Sequence, residues 1–225
     1  MNDLSTDKQA VQVWDISIRL FHWSLVAGIG FQWYSGEEGG NIMLWHMYIG
    51  YSLLGLILYR FVWGFIGSTY ARFSDFLKGP KYTISYAKKF LKGEKTHYLG
   101  HNPLGGWMAV TLMLLVFIQA STGLFSSDDI MTEGPLFSLV SESIAYTLTD
   151  IHEINFNLIL IFAGLHIIAV IYHRLIKKES LIKSMLTGKK ISNQANTSSI
   201  KTNYLLMLIS AGLVALCVYM LVNIF

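Results

Sequence analysis

Apolar residues gather in five long runs, near residues 17–35, 42–66, 103–124, 149–175 and 203–225, with polar stretches between them. A helix needs roughly 20 apolar residues to cross a hydrocarbon core of about 30 Å, so the pattern predicts five membrane-spanning helices. Two of the polar stretches carry a weaker helical repeat. Within 67–102, Ile84, Ala87 and Leu91 recur at helical spacing, Lys88, Lys89 and Lys92 take the other face, and Gly79-Pro80 breaks the chain upstream. That arrangement predicts a short helix lying on a membrane surface. After Pro135, the positions Leu136, Val140, Ile144 and Thr147 outline a second amphipathic face. Residues 1–16 read as a polar tail, and 188–202, GKKISNQANTSSIKT, as a polar linker that sets the last run apart from the first four.

Composition agrees with this division. Hydrophobic residues make up 53% of the chain and charged residues 14%, with a mean hydropathy of +0.46, where globular domains carry about 25% charged residues. The expected class is an all-α integral membrane protein: a four-helix transmembrane bundle over 17–187 and a fifth, C-terminal transmembrane helix over 203–225. No short apolar core with a small-residue cleavage site precedes the first run, so that helix is expected to be an uncleaved anchor. The single cysteine, Cys217, falls in the last run. An internal disulfide, a cysteine-held iron–sulfur cluster and covalent C-x-x-C-H haem attachment are therefore excluded.

Charge then orients the helices. All 17 Lys and Arg lie in the N-terminal tail, between runs two and three, between runs four and five, or at the adjoining helix ends. The other two loops hold only acids: Glu37 and Glu38 in one, and Asp128, Asp129, Glu133, Glu142, Asp150 and Glu153 in or beside the other. Lys and Arg collect on the cytoplasmic side, which places the N-terminus inside and, after five spans, the C-terminus outside. The formal charge of +3 hides a strongly basic inner face and an acidic outer one. The basic face is suited to fixing topology and meeting anionic lipid rather than nucleic acid.

The run TDIHEINFNLILIFAGLHIIAVIYHRLIKK nonetheless contains three histidines, His152, His166 and His173. Ionisable side chains inside a span are costly and mark function by default. A neutral histidine bonded to a neighbouring helix is the structural alternative. His152 and His166 are 14 residues apart, about 21 Å of rise and nearly four whole turns, so both occupy one face at two depths. His46, in LWHMYIG, begins the second run near the outer side, while His22, in RLFHWSL, lies at the inner end of the first. The depths match pairwise, His46 with His152 and His22 with His166. Two bis-histidine couples across a four-helix bundle suit two non-covalent b-type haems, whereas a closed zinc site wants four N or S ligands.

Other candidates stand beside these four. His173 shares a face with His166 but borders Arg174, Lys177 and Lys178, as an interfacial residue does; His97 and His101 precede the third run in a basic loop. Met43 and Met47 flank His46, and a thioether is a known axial haem ligand, although methionine in an apolar helix usually packs. Arg19, three residues before His22, is placed to meet a haem propionate, and positive-inside topology alone also puts it there.

Taken together, VWDISIRLFHW, LWHMYIG, YARFSDFLKGP, HYLGHNPLGGWMAV, IHEINFNLILIFAGLHIIAVIYHR and MLTGKK resemble, in order, the bacterial di-haem b-type cytochromes that include cytochrome b561 and the membrane subunit of nickel–iron hydrogenases. The likeness covers roughly residues 11–190. It implies one haem ligand from the first helix, one from the second and two from the fourth, roles that fall on His22, His46, His152 and His166. It also implies a protein of the bacterial inner membrane that moves electrons between the quinone pool and a periplasmic redox partner, such as a c-type cytochrome or a hydrogenase or dehydrogenase subunit. The role would be that of an electron-transfer subunit of a respiratory oxidoreductase. The rival reading of another class is a metal or proton transporter built on intramembrane histidines.

Overall fold

The structure is a computed structural model describing residues 9–94, 96, 98–128, 132–192 and 200–223. Its long helices are α1 (Ile16–Glu38) and α2 (Met43–Ile66), with α3 (Phe73–Phe76) and α4 (Pro80–Leu91) in the connection to α5 (Pro103–Gly123). Next come α6 (Glu142–Leu175), the short α7 (Leu181–Thr187) and α8 (Tyr204–Asn223). Among the described residues, four segments are long and apolar enough to cross a membrane: Gly40–Ile66, Pro103–Gly123, Glu142–Leu175 and Tyr204–Asn223. The chain is thus a multi-pass membrane protein. The expected first span is helical throughout, but its polar residues and glycines make α1 the least apolar of the five.

Local chemistry sets the helix starts. Asp15 caps α1 by accepting from the Ile18 amide at 2.8 Å, and Asn102 caps α5 by accepting from Gly105 at 2.7 Å, with Pro103 in the first helical position. The helices then pack around α2, which contacts α1, α5 and α8, while α5 lies along α6. Phe21, Ile57, Met113, Val116 and Ile159 bring α1, α2, α5 and α6 together in a mid-bundle apolar cluster. A second cluster, at the end of the bundle that charge patterning predicts to be the inner one (hereafter the inner end), joins Val13, Trp14, Ile18, Tyr59, Trp63 and Ala71, and a third joins Leu54, Leu124, Leu136 and Val218. Helix α8 enters both, through Leu206, Met207, Ala211 and Val214 at one end and Val218 at the other. Helix α8 therefore packs on the bundle.

Two features differ from the sequence expectation, and a third adds a face that it did not specify. The chain is not purely helical: β1 (Gln9–Gln12) pairs antiparallel with β2 (Lys189–Ser192), joining the expected tail to the start of the expected linker. Gly188 makes this clasp possible, because it sits at φ +80° and accepts from the amides of Val13 and Trp14 at 2.8 and 3.0 Å. A Cβ there would collide with the side-chain Nε2 of Gln12 and the Trp14 carbonyl. Second, the outer amphipathic segment is not separate, since most of it forms the first turns of the 34-residue α6. Third, α4 turns Tyr86 and Phe90 inward, the latter against Tyr172 and His173, and leaves Ile84 and Leu91 exposed. Its apolar row faces outward, as suits a helix resting in a lipid interface.

Asp15 fastens the inner end. Besides capping α1, it accepts from Trp63 Nε1 at 3.0 Å and Ser68 Oγ at 2.5 Å. Asp15→Ala would remove a cap and strand two buried donors, a loss of at least about 2 kcal/mol. We predict a lower thermal unfolding midpoint in detergent for Asp15→Ala, with Asp15→Asn intermediate; an unchanged midpoint for Asp15→Ala would contradict this role.

Candidate functional site

The antiparallel course of α1 and α2 places His46 at one end of the bundle and His22 towards the other, while α6 carries His152 and His166 at both levels. At the outer level the rings of His46 and His152 lie 6.3 Å apart between centroids, inclined by 60°. Two metal–imidazole bonds of about 2 Å each, with half a ring on either side, span a similar length. The spacing fits an axial couple.

The hydrogen bonds assign the ring nitrogens. His152 Nδ1 lies 2.9 Å from the Gln119 carbonyl; a carbonyl only accepts, so Nδ1 carries the proton and Nε2 keeps its lone pair. Thr122 Oγ1 supports the same edge at 3.2 Å. His46 Nδ1 lies 2.9 Å from the hydroxyl of the buried Ser35, whose own proton goes to the Phe31 carbonyl at 2.8 Å. Ser35 therefore accepts from His46, and again Nε2 is left bare. Outer partners of this kind fix the orientation of metal-ligating imidazoles. Asn155 steadies the arrangement by donating to the Leu115 carbonyl and the Gln119 side chain, tying α6 to α5.

The two rings open into a cavity of about 630 Å³ lined by Gln32, Gly36, Met43, Met47, Gly50, Gln119, Gly123 and Phe156 among others, within the range of cofactor sites. Gly123 is required beside it, for a Cβ there would come within 2.9 Å of the His152 ring. Met43 and Met47 are wall residues of this cavity, and Glu37, Asp128 and Glu153 give it an acidic rim.

At the inner level His22 and His166 are within electrostatic range of each other, and both are within range of His101. His101 is buried between Trp14 and Phe76, each 4.8 Å away between ring centroids. Burial first, then the charges of Arg60 and Lys190, push its pKa down to about 3, so it is neutral at physiological pH. His173 is engaged elsewhere: it lies 3.2 Å from Glu179 and stacks on Phe90. Arg19 donates to the Leu186 carbonyl at 2.8 Å, capping α7, while its Nε is buried without a partner. His97 lies outside the described residues. Among those described, no three His, Cys, Asp or Glu side chains converge as a metal-holding group.

Sequence reasoning missed the supporting layer of Ser35, Gln119, Thr122, Gly123 and Asn155. A signal existed: Gln119 and Thr122 sit one turn apart in the otherwise apolar LMLLVFIQASTG.

The sequence pattern of the family described as Prokaryotic cytochrome b561 matches residues 13–188. Three relatives are each named "Probable Ni/Fe-hydrogenase B-type cytochrome subunit". That of Rhizobium leguminosarum bv. viciae is 23% identical, covering 82% of this chain and 90% of its own length. The Bradyrhizobium diazoefficiens protein is also 23% identical, covering 81% and 87%, and that of Rhodobacter capsulatus is 21% identical, covering 81% and 82%. No solved structure matches the chain. Because the matched region takes in all four paired histidines and most of the chain, the chain belongs to the prokaryotic cytochrome b561 family.

Proposed function

We propose that the chain is a di-haem membrane electron carrier in which His46 and His152 hold an outer b-type haem and His22 and His166 an inner one. The observation that carries this reading is the outer couple: imidazoles 6.3 Å apart that line one cavity, each with Nδ1 bonded to a residue of the neighbouring helix, which leaves Nε2 available to a metal. Bound haem iron supplies one-electron exchange at each level. The polypeptide orients the imidazoles, keeps them neutral and excludes water with the mid-bundle cluster. Proton relay or metal transport gains no comparable support, because a relay has no use for the fixed tautomers of His46 and His152.

In this reading all five long helices span the inner membrane, with the N-terminus cytoplasmic and the C-terminus periplasmic, as the basic inner connections favour. Electrons pass between the quinone pool and a periplasmic redox protein. The relatives' names favour a hydrogenase-type subunit for that partner, and the acidic rim of Glu37, Asp128 and Glu153 favours a partner with a basic docking face.

Ligand replacement tests the assignment. His46→Ala or His152→Ala should leave one b-type haem per purified chain and abolish the outer component, and His22→Ala or His166→Ala the inner one. His173→Ala should keep both. Loss of a haem from His173→Ala but not from His166→Ala would overturn the inner assignment. Gly123→Ala should weaken outer haem retention about tenfold or more by pressing on His152, read as haem lost during detergent dilution; full retention would show that the ring has room to move.

A further inference from the structure

The inner end of the bundle contains a charge that the axial ligands leave unexplained. Arg60, on α2, is only 4% exposed. Its Nη2 donates to the Ala71 carbonyl at 3.0 Å and the guanidinium packs over Phe73 and Phe76, but Nη1 is buried with no hydrogen-bond partner. Asp15 is in electrostatic range but already accepts from Ile18, Trp63 and Ser68. Among the described residues no carboxylate forms an ion pair with Arg60. A buried cationic N–H without an acceptor is rare in native proteins and calls for a missing partner.

The register of α2 says where that partner lies. Arg60 follows His46 by 14 residues, as His166 follows His152 by 14. Nearly four turns bring Arg60 onto the face of His46 and to the depth of the inner couple. Arg60 is in electrostatic range of His101, which in turn is in range of both His22 and His166. His101 is neutral and supplies no counter-charge, and Lys190 is occupied by the carbonyls of Tyr98 and Gly100. Asp15 is committed to its three donors, so what Arg60 Nη1 lacks is an acceptor of its own, and a carboxylate is the group a guanidinium binds best.

We propose that Arg60 holds a propionate carboxylate of the inner haem and raises that haem's reduction potential. This rests on the two-haem reading above. A fixed positive charge in a low-dielectric interior favours the form of the iron with one charge fewer, and removing it would leave the propionate unneutralised, which acts in the same direction. Arg19 also keeps a partnerless Nε, but it is only half-buried and already caps α7 through Leu186, so Arg60 is the stronger candidate for this role.

A potentiometric titration of the purified chain in detergent provides the test. The wild type should show two b-type components; one component or none would defeat the two-haem reading itself. With two present, Arg60→Gln should shift only the inner component to lower potential, by about tenfold in its reduction equilibrium or 59 mV for one electron. Arg60→Lys should recover most of the shift. Two unmoved components in Arg60→Gln would overturn the proposal, as would equal shifts in both components that Arg60→Lys fails to rescue, the mark of a purely structural clamp. If Arg60→Gln does not accumulate, Arg60→Lys with haem carbon-13 labelled at its propionate carboxyls decides. A displaced carboxylate band in the reduced-minus-oxidised infrared spectrum supports the contact, and an unchanged band refutes it.

Discussion

An imidazole placed in a lipid-embedded helix must find use for both ring nitrogens, and the outer couple meets this demand in a way that organises the bundle around it. His152 gives its Nδ1 proton to the Gln119 carbonyl on α5, and His46 gives its own to Ser35 on α1. Each bond crosses between helices, so the same interactions that orient the rings also hold α6 to α5 and α2 to α1. Both rings then line one cavity. Loss of either anchor would cost packing and ring orientation together, because a buried polar group without a partner is expensive.

Around this arrangement the apolar clusters form layers. Ile159, midway between His152 and His166 along α6, packs with Phe21, Ile57, Met113 and Val116 and separates the two polar levels. At the inner end the Asp15 network and the clasp between β1 and β2 close the bundle, and Arg19 and Trp23 reach across to the carbonyls of Leu186 and Met185. Helix α8 seals the flank of α2 at both ends. The polar and charged groups of the interior are thus concentrated at two depths, with hydrocarbon-like packing between.

Much of this was legible in the sequence because it depends on periodicity. Apolar run length marked the long helices, and the 14-residue interval of His152 and His166 marked the two levels. The mini-sheet was illegible because QAVQ and KKIS are four-residue segments with no strong alternation; the turn at Gly188 and the tertiary contact select them. The fusion of the outer segment into α6 was hidden because apolar run length puts the start of the fourth span near residue 149, beyond the polar first turns with which α6 begins at Glu142. The actual face of α4 was set by Phe90 meeting Tyr172 and His173, a contact between segments far apart in the chain. The repeated 14-residue interval from His46 to Arg60 was present in the sequence all along, and its meaning emerged only once Arg60 proved buried and short of an acceptor.

The most direct measurement is haem stoichiometry on the purified chain, by pyridine haemochrome absorbance against amino-acid analysis, with a reduced-minus-oxidised spectrum of the same sample. The account predicts a red protein with two non-covalent b-type haems per polypeptide. A colourless preparation, or one haem that survives replacement of both His46 and His22, would contradict it.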